Sequence, residues 1–257
     1  MKKIYLLISL VIFNFGCGYN KNEQVTTAAP PSESILTERW KAVDKMKDSI
    51  REGDLILRCG NDYASYTLCD FNQQEKLYSH SGIALVNDGI MYVYSNMTGD
   101  LNPADVMRRD NVDSFLTPAN NIAAGVYRYD ISNEELQKLK TIITDYYNNK
   151  LQFDMNFDLS TDNKMYCAEM IAKSVQLATA NRILIPKSSV TDELRQKYLK
   201  MALQKKVVPS VKSGYEQREY WSIDNLYLNG HCREVIKIIF DKPQMPIKFP
   251  TPENYQH

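Results

Sequence analysis

Two side chains far apart in the chain have the chemistry for nucleophilic catalysis. Cys167 lies in "NKMYCAEMIAKSV" (163–175), between a tyrosine and the start of an apolar helical period. His80 lies in "YSHSGIALV" (78–86), at the entrance of a β-rich run and just before the small residues Ser81 and Gly82. A cysteine attacks as its thiolate, so its free pKa of ~8.5 has to fall. The partial positive charge of a helix N-terminus lowers it, and a neighbouring imidazolium lowers it further. The first device is legible at Cys167. The second requires the fold to bring His80 there. Most free cysteines are small buried hydrophobes, so the pair at this stage is only a candidate.

Other chemistries have little to build on. The chain has three histidines. His257 is the last residue, and His231 follows the Asn-Gly turn signal of "YLNGHCREV", as a surface-loop histidine would. No C-x-x-C pair accompanies them, so neither a zinc site nor any other metal or cofactor is expected. No G-x-x-x-x-G-K loop is present to cradle a phosphate.

The elements that must position the pair follow from periodicity. Apolar residues at 36, 40, 43, 46 and 50 predict an early helix. "GDLILR" (53–58) reads as a strand, and "HSGIALV" and "GIMYVYS", joined through Asn87-Asp88-Gly89, read as an antiparallel hairpin. "AAGVYRYD" (123–130) is another strand candidate. Ser132 with Glu135 forms a capping-box signal for a helix whose face is Leu136, Leu139, Ile143 and Tyr147. A second helix is predicted over 167–180, a third around 191–204 and a late strand over 233–240. The proline-rich tail should run over the surface. One early helix, antiparallel strands and interspersed helices make an α+β protein.

At 257 residues the chain suits one well-buried core. Its formal net charge is zero and no long basic run occurs, so nucleic acid is not an expected partner. The N-terminus has a basic start, an apolar run from Ile4 to Phe15 and then Gly16-Cys17. That run is short for a membrane span and reads as an export signal over 1–16. Gly16-Cys17 resembles a bacterial lipoprotein cleavage site, which implies Cys17 as the lipidated first residue of a mature protein in the cell envelope; the alternative is cleavage elsewhere, with Cys17 incidental. Residues 17–33, polar and proline-marked, read as a tether, and 34–257 as a single folded domain. In an oxidising compartment Cys59 and Cys69 could pair across a short loop, a question the sequence leaves open.

Four segments resemble the permuted papain-like amidases (YiiX/YebB-like), relatives of the NlpC-type bacterial cell-wall cysteine peptidases. They are "GDLIL" (53–57), "YSHSGIALVNDGIMYVYSN" (78–96), "LQFDMNFDLSTDNKMYCAEMIAKS" (151–174) and "SIDNLYLNGHCREVIKI" (222–238). His80 preceding Cys167 matches the permuted order. The resemblance implies a circularly permuted papain-like fold, with an antiparallel sheet packed on helices and the cysteine at a helix N-terminus. It implies Cys167 as nucleophile and His80 as general base. Ser95 most nearly occupies the place of the third, ring-orienting member, where many relatives carry a charged or imidazole group. Tyr166, Glu169 and Asp154 fall in motifs that support the cysteine loop, line the substrate site or help the oxyanion donors. Asp158 and Asp54 match aspartates for which a structural role is the expectation.

The function so implied is a thiol hydrolase cleaving an amide bond, with peptidoglycan-type peptides as substrate and a lipid tether to the membrane. Two alternatives share the motifs: a lipid acyl hydrolase or acyltransferase, and a catalytically weak binding module, the latter suggested by the uncharged Ser95. The insertion around 182–212 is placed to cover the cleft.

Overall fold

The computed structural model describes residues 31–98, 105–194, 196 and 218–241. Cys17 with the expected export signal, most of the expected tether, most of the 182–212 insertion and of the helix expected around 191–204, and the tail lie outside them.

Along the chain run α1 (Glu33–Lys47), β1 (Leu55–Gly60), α2 (Tyr63–Cys69), β2 (His80–Asn87) and β3 (Ile90–Ser95). Then come β4 (Arg108–Asn111), α3 (Val112–Phe115), β5 (Asn121–Tyr129), α4 (Asn133–Asn148) and α5 (Cys167–Ala178). Last are β6 (Ser188–Ser189), β7 (Glu219–Tyr220), α6 (Ile223–Tyr227) and β8 (Cys232–Ile239). Six strands form one antiparallel sheet in the order β4-β3-β2-β1-β5-β8, and β6 pairs with β7. Among the described residues no helix is long and apolar enough to cross a membrane.

Strand alternation sends successive side chains to opposite faces, and both faces of the central strands are covered. Leu55, Leu57, Ile83 and Leu85 pack with Leu139 and Ile143 of α4 and with Ile171 and Val175 of α5. Ile56, Ala84, Val93 and Val126 pack on the other side with Val43 and Met46 of α1 and with Phe115 and Leu116. This double burial is why β1 reads as an unbroken apolar run rather than an alternating one. Each Leu or Ile buried in this way contributes about 1.5–3 kcal/mol before chain entropy is set against it.

Local signals set the connections. The β2–β3 hairpin turns through Asp88 and Gly89, both at positive φ (51° and 78°), the geometry of a type I′ turn. Helix α4 carries the capping box, with Ser132 Oγ accepting from the Glu135 N–H and the Glu135 carboxylate accepting from the Ser132 N–H. Strand β4, "RRDN", shows no apolar period and is not legible in sequence. It is an edge strand whose Arg109 lies over the rings of Tyr92 and Tyr147, 4.9 and 5.3 Å from their centroids.

Candidate active site

His80 opens β2, and the segment that delivers it is tied down by buried side chains. Asp224 of α6 is wholly buried, and one carboxylate oxygen accepts the N–H groups of Gln73, Gln74 and Glu75 at 2.8, 2.6 and 3.2 Å. Asn72 donates to the Tyr78 carbonyl and accepts the Ile223 N–H. Three donors on one oxygen satisfy a loop that no ladder reaches.

The imidazole is then held by its own neighbour. Ser79 Oγ lies 2.6 Å from His80 Nδ1, accepts the Gly60 N–H at 3.2 Å and faces the Arg58 carbonyl at 3.5 Å. One assignment closes this network: Nδ1–H donates to Ser79, whose hydroxyl donates to the Arg58 carbonyl. Nε2 is then left as the acceptor, which a general base needs.

Cys167 is the first residue of α5, after N-cap Tyr166, which adopts extended backbone geometry. Ala168, Ile171, Ala172 and Val175 bury one side of the helix against the sheet, so its N-terminus is fixed relative to β2. Burial pushes the Cys167 thiol up, although the residue keeps some accessible surface. The polar groups of Ser81 and the N–H groups of Ala168 and Cys167 lie near the sulfur and act against burial without cancelling it, although the Ser81 hydroxyl makes no hydrogen bond. The resting group is therefore a thiol.

Ser95 does not orient the imidazole. It is fully buried and its Oγ has no hydrogen-bond partner. Its role is steric. A Cβ on Gly82 would stand 2.5 Å from Val93 Cγ1 and 3.3 Å from Ser95 Cβ. Gly82 thus lets β3 approach β2, and the chain element admitted beside the histidine is β3. The sequence marks Ser79 by nothing beyond its adjacency to His80.

The other expected residues are supports. Tyr166 is buried, and its hydroxyl accepts the Trp221 N–H at 2.7 Å and donates to the Trp221 carbonyl at 3.2 Å. With both hydrogen-bonding roles used on that backbone, it is not an oxyanion donor. Asp154 is buried and accepts the N–H groups of Asn156 and Asp158, closing the loop before the cysteine. Asp158 in turn accepts from Ser160. Asn96, also missed, donates to the carbonyls of Met165 and Gln152 at 2.7 and 3.1 Å and so ties the end of β3 to the cysteine loop. Asp54 forms a two-pronged pair with Arg128 at 2.6 and 2.7 Å, a structural clamp.

Glu169 is wholly buried one turn into α5. Burial raises its carboxyl to about 7, helped by the Asp154 charge and opposed by Lys173 and the Tyr166 N–H. Lys173 Nζ lies 2.8 Å from Oε1, close enough for charge but too poorly aligned for a hydrogen bond.

Arg58 faces His80 across the β1–β2 ladder. Its guanidinium donates to Asn121 Oδ1 at 2.8 Å and lies 5.1 Å from the Phe115 ring centroid, while its Nε has no partner. Among the described residues no carboxylate pairs with it. Burial lowers its pKa, and the Cys167 sulfur is among the charges that raise it. The cation therefore adds to the positive field at the thiol.

No family model and no curated protein matches the chain. Among solved structures it is similar to the crystal structure of the metalloprotein YiiX from Escherichia coli O157:H7. That match has a TM-score of 0.58 at 17% identity and covers 74% of this chain and 99% of that one. At this identity the likeness is one of fold: a mixed α+β body with an antiparallel six-stranded sheet. Among the described residues no group of three or more His, Cys, Asp or Glu side chains could hold a metal ion.

Proposed function

We propose that the protein is a cysteine hydrolase in which Cys167 attacks a carbonyl and His80 moves the protons. The observation that carries this reading is that α5, which begins at Cys167, packs on β2, which begins at His80, with Ser81 beside the sulfur. Adjacent Cα atoms are about 3.8 Å apart, which supports nucleophile and base lying at one corner of the fold. His80 and Ser81 pair with Arg58 and Leu57 of β1, so their side chains alternate across β2, while the β2–β3 ladder begins only at Ile83. The reading therefore requires the imidazole, at the first residue of β2, to turn toward the sulfur, the kind of tightening that substrate brings.

The chemistry follows from the groups present. The Cys167 proton passes to His80 Nε2 as the sulfur bonds to the carbonyl carbon, and the N–H groups of Cys167 and Ala168 face the developing oxyanion. Histidinium protonates the leaving amine, and water, deprotonated by the same imidazole, releases the acyl group. Ser79 fixes the ring tautomer. Arg58 supplies positive field on the thiolate's side of the balance.

The substrate we propose is an amide in peptidoglycan-type peptides, reached by an exported protein anchored through Cys17. This is a circularly permuted papain-like arrangement of the NlpC type, with the histidine strand ahead of the cysteine helix. The alternative, an acyl ester of a lipid, draws support from the aromatic wall beside the site. Phe157 packs on Tyr166 with ring centroids 4.8 Å apart and on Phe153 at 6.2 Å.

The full chain incubated with peptidoglycan peptides and with phospholipid vesicles, followed by mass spectrometry, tests the reading. Amide cleavage lost in Cys167→Ala and His80→Ala supports it. Products from phospholipid alone would replace amide with ester. Activity retained in Cys167→Ala would end the proposal.

A further inference from the structure

Two cysteines outside the candidate site touch each other. Cys59 is the penultimate residue of β1 and Cys69 closes α2, and both are buried, at 0% and 1% exposure. Their sulfurs lie 3.3 Å apart. Cys59 Sγ also lies 3.4 Å from the Gly60 carbonyl. Two thiols in such contact need approach by only a little over ~1 Å to reach a covalent S–S separation of about 2.05 Å.

The surroundings suit a crosslink. The ladder between β1 and β5 shifts register at Cys59/Gly60, so the strand end is already irregular and can absorb a small movement. Helix α2 is capped by Asp62, whose carboxylate accepts the Ser65 N–H at 3.0 Å and the Ser65 hydroxyl at 2.7 Å. The cap fixes where the helix starts, and Cys69, its last residue, lands against β1. The two cysteines are ten positions apart, so the unfolded chain closes this loop at small entropic cost.

We propose that Cys59 and Cys69 form an intramolecular disulfide that staples α2 to the end of β1, beside the Arg58–His80 pairing. The oxidant is a small-molecule or protein disulfide, which the export reading places within reach. One cysteine thiolate attacks the donor disulfide, giving a mixed disulfide and one donor thiolate. The second cysteine thiolate attacks the protein sulfur of that mixed disulfide and expels the other donor thiolate. The two cysteines lose two electrons and two protons, and the donor leaves as two thiols. Burial raises the Cys69 thiol, after the larger effect of its bond with Cys59, so the exchange belongs to folding, before the pair is enclosed.

The sequence makes the test direct. Residues 59–76, "CGNDYASYTLCDFNQQEK", follow an arginine, end in a lysine and contain both sulfurs with no tryptic site between. The full chain is unfolded with reductant, refolded with a mixture of reduced and oxidised glutathione, denatured, alkylated without reductant and digested. The expected peptide is unalkylated and about 2 Da lighter than the dithiol. Its formation should raise Tm by several degrees over the reduced chain. Cys69→Ala should show the reduced chain's Tm in both buffers. Two alkyl groups on the peptide, glutathione adducts, or a bond to Cys167 or Cys232 would each overturn the proposal. The outcome is independent of hydrolase activity, which Cys167→Ala reads separately.

Discussion

Ser81 of β2 lies beside the Cys167 sulfur at the N-terminus of α5, and its buried hydroxyl has no hydrogen-bond partner. A polar group so placed favours the thiolate over the thiol, against a burial effect that is larger. Removing that hydroxyl lets burial act with less opposition. Ser81→Ala should therefore move the pH profile of Cys167 alkylation by iodoacetamide to higher pH, slowing the reaction at pH 7 by roughly 3- to 10-fold. An unmoved profile would mean that the contact only packs.

Gly82 tests whether the small residues after His80 serve packing or access. A methyl group there would meet Val93 Cγ1 at 2.5 Å and the Tyr94 carbonyl oxygen at 2.9 Å. Backbone and a β-branched neighbour cannot both yield cheaply. Gly82→Ala should cost about 1–3 kcal/mol in urea unfolding, with an unchanged m-value. A neutral effect would show that β3 can move off β2.

Asp224 should matter more than its distance in sequence from the site suggests. Asp224→Asn keeps the shape but replaces a charged acceptor of three N–H groups with a weaker one. A loss of about 1.5–3 kcal/mol is expected, with faster hydrogen exchange at Gln73, Gln74 and Glu75 than elsewhere. Uniform acceleration across the sheet would mean that Asp224 serves global stability rather than this loop.

Glu169 makes stability depend on pH. Its folded-state pKa, near 7, lies above the ordinary 4.5, so the fold prefers the protonated form. The stability this contributes is complete below the unfolded value and is lost as pH rises through about 7. The full effect is on the order of 3 kcal/mol. Glu169→Gln should flatten unfolding free energy between pH 5 and 7.5, because Lys173 keeps Asp162 and the Leu159 and Thr161 carbonyls. A profile unchanged by the substitution would place the titration elsewhere.

Several elements were legible in the chain because their signals are local. Asp88-Gly89 dictates a turn with two positive φ angles, and Ser132 with Glu135 marks the start of α4 within one turn. The apolar period of 167–178 announces a helix that begins at the cysteine. These are consequences of backbone sterics, capping and periodicity over a few residues.

What tertiary structure alone decided is which polar groups meet. No spacing in the sequence says that Ser79, rather than Ser95, bonds the His80 ring, or that Tyr166 spends its hydroxyl on Trp221. Arg58 beside His80, Asp224 under the histidine's approach loop and Cys59 against Cys69 are products of strand register and helix docking. The physical reason is range. Propensity and capping act between near neighbours, whereas a hydrogen bond or an S···S contact is set to within tenths of an ångström by packing across the whole core.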